Sequence, residues 1–261
     1  MGLAEWWTWF GPGWVALAVA AVALALPGTL WWAAGRGLAA VAVPQAALVG
    51  AAVGVLLNLS HGQIALPAAL AAVLGGLVVR PGGAAVLLGA GMALPVWLVS
   101  GSPHGMNEVT DLTLSRILGL DWSGVWPSAV LAVGGVVVAA TAHRYLRAAV
   151  LDPVWAASAG LHPRPWLAVL GIWGGLAVGV TLPAIGLIGV VGFLILPGLA
   201  ARGLTLRLGH GLVAAPVLAL ISVLLAVPVA HVLDAPPVPV AVTIQAVITV
   251  VAYGLRVCAG R

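Results

Sequence analysis

The sequence predicts an all-α polytopic membrane protein of about nine transmembrane helices, with its N-terminus outside and its C-terminus cytoplasmic. Three observations carry this. Of the 261 residues, 63% are hydrophobic and only 6% charged; a water-soluble chain of this size could neither bury nor solvate so much apolar surface. The apolar residues come in runs of the length a bilayer core needs, roughly 20 residues of helix. The ten basic residues, all Arg, fall in short gaps that alternate along the chain. Assigning every second gap to the cytoplasm places Arg36, Arg80, Arg144, Arg147, Arg164, Arg202, Arg207, Arg256 and Arg261 on one side, and only Arg116 on the other. The same choice puts Glu5, Glu108, Asp111, Asp121 and Asp234 outside and only Asp152 inside. A bias of this kind orients helices in a bilayer.

In order, the runs cover 14–34, 39–57, 63–79, 84–99, 125–142, 166–182, 185–200, 212–232 and 239–255. The fourth is short. Pro183-Ala184-Ile185-Gly186 interrupts 166–200, which reads as two short spans or one broken unit. An eight-helix alternative moves one terminus across the membrane and spoils the Arg asymmetry, so nine is preferred. Most of the twelve Trp residues, including Trp14, Trp31, Trp97, Trp122, Trp126, Trp155 and Trp166, lie near span ends, as an interfacial aromatic belt would. Gly50 and Gly54, and Gly171, Gly175 and Gly179, recur every four residues, a spacing that brings helices close in lipid. The longest stretches outside the membrane are 100–124 and 143–165. No repeat or soluble domain interrupts a single transmembrane domain over 1–261. The N-terminus lacks a basic region, so a removable signal peptide is not expected.

The net charge of +4 raises the question of nucleic acid, but no basic run or aromatic-interleaved patch exists to bind it. The single cysteine, Cys258, allows no internal disulfide. Without Lys there is no phosphate-binding Gly-Lys-Ser/Thr loop, so the chain is not a conventional P-loop ATPase. Neither a His-Glu-x-x-His nor a Gly-x-Ser-x-Gly motif is present. Ionisable residues are almost absent from the spans, which argues against an intramembrane enzyme.

The inner segment Leu151-Asp152-Pro153-Val154-Trp155-Ala156-Ala157-Ser158-Ala159-Gly160-Leu161-His162-Pro163 has the grammar of a short capped helix. Asp152 suits the N-cap and Pro153 the first helical position. Gly160 suits a left-handed C-terminal position, and Pro163 blocks continuation. Ala156, Ala159 and Gly160 would share one small, smooth face suited to a groove of another protein. A helix of about two turns is not stable alone, so it is either held by its own bundle as a connector or docked into a partner.

Asp152, the pair Ala156-Ala157 and Gly160 resemble the cytoplasmic coupling loop of ABC-importer permeases, and specifically those of zinc, manganese and iron importers. The run from Gly189 to Arg202, with Gly192, Pro197 and Gly198, resembles that family's Gly-rich span. Asp234-Ala235-Pro236 resembles its Asp-x-Pro before the last helix. The resemblance covers about residues 28–256 and is weakest over 80–125. It implies a permease in the cytoplasmic (inner) membrane that does no covalent chemistry and carries no cofactor. The implied partners are a separate ATP-binding subunit docked through 151–163, an extracytoplasmic substrate-binding protein, and a second permease copy, identical or paralogous.

One departure bears on substrate. Where the family has Ser-His-Ala in the second span, this chain has Pro44-Gln45-Ala46. An amide is a poorer ligand for zinc-like ions than an imidazole. Either ions pass with weaker contacts, or the substrate is a metal chelate; a non-catalytic scaffold subunit is the alternative. The path is expected to run near Gln45, with His231 and Asp234 as metal contacts at its outer mouth, against the plain reading that Asp234 ends a helix. His104, Glu108 and Asp111 form the other outer cluster, and His143, His162 and His210 lie at the inner surface.

Overall fold

In a bilayer every backbone amide must find its partner within the chain, and the computed structural model answers with helices throughout. It describes residues 3–78, 81–102, 105–115, 117 and 120–258, less the side chains of 3–9, 61, 81, 105 and 106. The helices are α1 (Leu3–Ala33), α2 (Gly37–Leu56), α3 (His61–Val78), α4 (Pro81–Val99), α5 (Gly105–Leu114), α6 (Trp122–Leu151), α7 (Pro153–Ser158), α8 (Pro163–Leu204), α9 (Leu208–Leu233) and α10 (Pro237–Cys258). Seven are long and apolar enough to cross a membrane, and α3 falls just short of that length. Arg80, His104, Arg116 and Arg261 lie outside the described residues.

The long helix α8 needs explanation. Its 42 residues would extend about 63 Å if straight, twice the roughly 30 Å of a hydrocarbon core. It is not straight. Gly186 adopts φ 69°, ψ 169°, a conformation only glycine takes without strain, and the helix breaks there. The neighbours on either side give the direction. Gly171, Gly175 and Gly179 abut Gly76, Val73 and Ala69 of α3 in turn, so this limb runs antiparallel to α3. Beyond the break, Gly189, Gly192 and Gly203 abut Val238, Val242 and Ala252 of α10. Gly174 lies under the ring of Trp31, and the Arg202 guanidinium reaches the Trp32 carbonyl at 3.4 Å. Both limbs therefore meet the same end of α1, while Gly186 rests on Thr113–Ser115 at the other end. The chain folds back at Gly186, into limbs 163–185 and 187–204. The sequence placed the interruption correctly and its angular element, the glycine, at its last residue.

With α8 doubled at the centre, α1 and α2 are its most buried companions, while α4, α6, α9 and α10 lie at the periphery. The outward residues are apolar: Leu66 and Leu70 on α3, Val130 and Val133 on α6, Leu224 on α9, Val250 on α10. That is the reverse of a soluble surface and suits acyl chains.

Three expectations change. Residues 100–124 contain α5, a ten-residue helix that lays Val109 and Leu112 inward beside the Gly186 turn. Trp31 is no belt residue: it is 1% exposed and packs on Gly174. The helix α6 runs nine residues past the expected 142, which stacks Tyr145 on Trp166 at 5.1 Å between ring centroids.

Backbone contact between α8 and α3 sets a stability test. Leucine at Gly179 would collide with the Ala69 backbone, an overpacking of about 1–3 kcal/mol. G179L should lower the thermal midpoint in detergent by about 2–10 °C. G82L, at a position with open space around it, should leave it unchanged.

Candidate functional site

The junction of α6 and α7 is built from one carboxylate. The Asp152 Oδ1 accepts from the backbone N–H groups of Val154 (3.1 Å) and Trp155 (2.9 Å), while its own N–H donates to the Ala148 carbonyl at 3.2 Å. It thus closes one helix and opens the next, with Pro153 at the first turn. At the other end Gly160 has φ 79°, and the N–H groups of Gly160 and Leu161 donate to the carbonyls of Ala157 and Ala156 at 3.1 and 2.9 Å. This is the paired closure a left-handed glycine provides. Asp152, Pro153 and Gly160 occupy the local roles read from the sequence.

The face is different. Ala156 is fully buried against its own bundle, so it belongs to the support of α7 and not to an outward surface. The outward residues are Val154 (78% exposed), Trp155 (59%) and Ala157. An indole and an isopropyl group held in the open by a helix capped at both ends form a compact apolar knob.

The second site is the middle of α2. Gln45 is 4% exposed, and its Oε1 has no hydrogen-bond partner among the described residues. The helix α4 crosses it at Gly91, where an added Cβ would lie 2.5 Å from that of Gln45. Gln45 therefore faces protein rather than lipid. Beside it, between α2, α3 and α4, is an apolar cavity of about 690 Å³ lined by Ala46, Val49, Leu74 and Gly91 among others. A buried acceptor without a donor costs about 1–3 kcal/mol and asks for a reason. The reading in which neighbouring backbone satisfies the whole amide does not hold for Oε1.

His231 and Asp234 sit at the end of α9, both exposed. Asp234 is the helix's terminal residue, with φ 49°, ψ 42°, a left-handed conformation that Asp tolerates better than most. Its backbone ends the helix, whatever its carboxylate meets. Among the described residues no three His, Cys, Asp or Glu side chains cluster to hold one ion. The structure does not unite the proposed path residues: α2 packs chiefly on α3, α4 and α8, and α9 on α1, α8 and α10.

Two features escaped the sequence reading. Gln245 of α10 is 0% exposed, and both its amide atoms lack partners. It is a polar residue in the middle of an apolar span, the same signal that singled out Gln45. At the opposite end of the bundle from α7, Glu108 and Asp121 line one cleft of about 400 Å³, together with Ser123 and Pro183. The Ser123 hydroxyl and then the Gly124 N–H hold the Asp121 carboxyl below its ordinary pKa, so it stays ionised at neutral pH. Sequence spacing grouped Glu108 with His104 and Asp111; the fold brings Asp121 to it through the start of α6.

This architecture occurs in solved structures. A chain of PsaBC from Streptococcus pneumoniae in complex with Fab superposes with a TM-score of 0.83 over 96% of this chain and 94% of its own, at 14% identity. A chain described as a metal-chelate type ABC transporter, in an inward-facing conformation, gives a TM-score of 0.76 over 95% of this chain and 85% of its own, at 18% identity. No curated protein sequence matches significantly. The ABC 3 transport family matches residues 9–256, nearly the whole length, and the chain belongs to that family.

Proposed function

We propose that this chain is the membrane-spanning subunit of an ATP-driven importer, passing a metal ion or a metal chelate across the cytoplasmic membrane. The observation that carries the reading is α7, a knob capped at both ends and joined to α6 without a linker, in a chain of a transport family. In this reading α7 docks a separate ATPase subunit, and an extracytoplasmic binding protein delivers substrate at the other face. Two copies, or one copy and a paralogue, enclose the path. The solved relatives, PsaBC and the metal-chelate type transporter, support metal as the cargo class; zinc, manganese and iron remain the candidates by resemblance.

The doubled α8 supports the orientation expected from the Arg bias. Counting its limbs separately, and α3 with them, gives nine crossings. The N-terminus is then outside and the C-terminus inside, and the Arg-rich ends of α6, α8, α9 and α10 share the inner face. The acidic cleft at Glu108 and Asp121 then lies on the outer face, where two carboxylates raise the local concentration of cations. Gln45 contributes to the path as a neutral oxygen donor. An amide in place of an imidazole favours a hard ion or an already chelated one over free zinc.

Three outcomes test this. Reporter fusions after Arg36, Arg147, Arg207 and Arg256 should read cytoplasmic, and fusions in 58–62 and 234–238 external; an inverted pattern sinks the orientation. W155A, which leaves the caps intact, should keep the protein in the membrane but weaken co-purification with the ATPase by about thirtyfold, as loss of an aromatic anchor does. Unchanged ATPase binding in W155A and in V154D would remove α7 as the dock. In cells measured for accumulation of radioactive zinc, manganese and iron, Q45L should cut uptake of the cargo by about tenfold or more. Q45H should gain zinc relative to manganese. Wild-type uptake of every ion in both would exclude Gln45 from the path.

A further inference from the structure

Arginines that merely mark the inner face need only lie on that side. Three of them do more: Arg202, Arg207 and Arg256 converge on one cleft of about 510 Å³ between the ends of α8, α9 and α10, with His210 beside them and no carboxylate among the described residues of its lining. The guanidinium groups are partly held. Arg256 Nη1 donates to the Arg202 carbonyl at 3.2 Å, and Arg202 Nη1 to the Trp32 carbonyl at 3.4 Å. The Arg207 guanidinium meets no acceptor among the described residues, and only its backbone N–H is held, by the Thr205 hydroxyl at 3.2 Å. Capping helix C-termini uses part of this charge, at about half an elementary charge per helix end. The ends of α1 and α8, which two of these groups cap, together offset about one of three positive charges.

A second, independent feature adds to the surplus. The 26-residue α9 begins at Leu208, between the cleft-lining Arg207 and His210, and no side chain caps it. The first N–H groups of an uncapped helix bind anions. The rim is apolar: Leu206 is 76% exposed and Leu255 59%, and both continue into the outward surfaces of α9 and α10, at Val213 and Val250. A cationic socket bordered by exposed leucines at a helix-bundle end fits a molecule with an anionic head and apolar tails. An acidic protein surface would leave those leucines without a partner.

We propose that this cleft binds the phosphate headgroup of an anionic phospholipid, with Arg207 and Arg256 as its principal contacts and the acyl chains along α9 and α10. Basic pockets between transmembrane helices on the cytoplasmic side take such headgroups. The cleft formed by Arg144, Arg147 and Trp155 contains Asp152 as well, which offsets one of its two arginines, and serves as the control. The proposal rests on membrane residence and on the cytoplasmic placement of this end of the bundle given above; it stands or falls separately from metal transport.

Native mass spectrometry of the detergent-purified chain, supplied with phosphatidylglycerol or phosphatidylcholine, tests it. Wild type should retain phosphatidylglycerol and not phosphatidylcholine, and excess inorganic phosphate should not displace it. R207Q/R256Q should weaken that retention by about thirtyfold, while R144Q/R147Q should leave it within a factor of two or so. R207K/R256K, which keeps the charge but loses the planar fork, should fall between and guards against a double variant that fails to insert. Equal retention of both lipids by wild type overturns the proposal, as does equal loss in R144Q/R147Q. Displacement by inorganic phosphate would mean a free-anion site and overturns it too. So would full retention by R207Q/R256Q accompanied by lost ATPase binding, which would assign the cleft to a protein partner.

Discussion

The fold depends on how closely the two limbs of α8 approach their neighbours. In lipid there is no hydrophobic drive between helices, and association rests on close van der Waals contact. The glycines at 171, 175 and 179 let one limb lie on the backbone of α3, and those at 189, 192 and 203 let the other lie on α10. Gly186 supplies the reversal between them. Remove the contact on either side and one limb of the central hairpin loses its closest backbone neighbour, and the surface on which α1 and α2 pack shifts with it. Small residues here are not fillers; they set the distances from which every other helix takes its place.

Against this tight apolar frame, the few buried polar groups stand out. Thr29, Thr181 and Ser222 satisfy themselves locally, donating to carbonyls three or four residues back at 2.7 Å. Thr249 reaches across to the Leu196 carbonyl as well as its own Gln245. Gln45 and Gln245 do neither with the atoms left unpaired. A hydroxyl is short enough to fold back on its helix, whereas an amide carries its oxygen and nitrogen too far out. Among the described residues the two glutamines, with the indole N–H groups of Trp32 and Trp173, hold the uncompensated side-chain polarity of the bundle.

Much of the helix order was legible because bilayer length and charge asymmetry are long-range signals that survive averaging over many residues. The caps of α7 were legible for the opposite reason: Asp152, Pro153 and Gly160 act through backbone geometry within one turn. What escaped depends on the third dimension. Which face of α7 turns inward is decided by where α6 ends, so Ala156 read as a docking residue and is instead buried support. Trp31 read as an interfacial ring because it lies near a span end, but Gly174 admits it to the core. The cleft of Glu108 and Asp121 joins residues from α5 and the start of α6, which no spacing rule connects. Gln245 is the exception, open to the same reasoning as Gln45 and passed over.

The shared cap at Asp152 has a mechanical meaning. One residue ends α6 and starts α7, leaving no loop to absorb motion. The 30 residues of α6 would extend about 45 Å if straight, and the far end is capped by Asp121, whose Oδ1 accepts from the Ser123 hydroxyl and the Gly124 N–H of the helix itself. Each end of α6 thus carries a capping aspartate, Asp121 at one and Asp152 at the other. The apolar knob at one face of the bundle and the acidic cleft at the other are thus joined by a single helix with no loop between them.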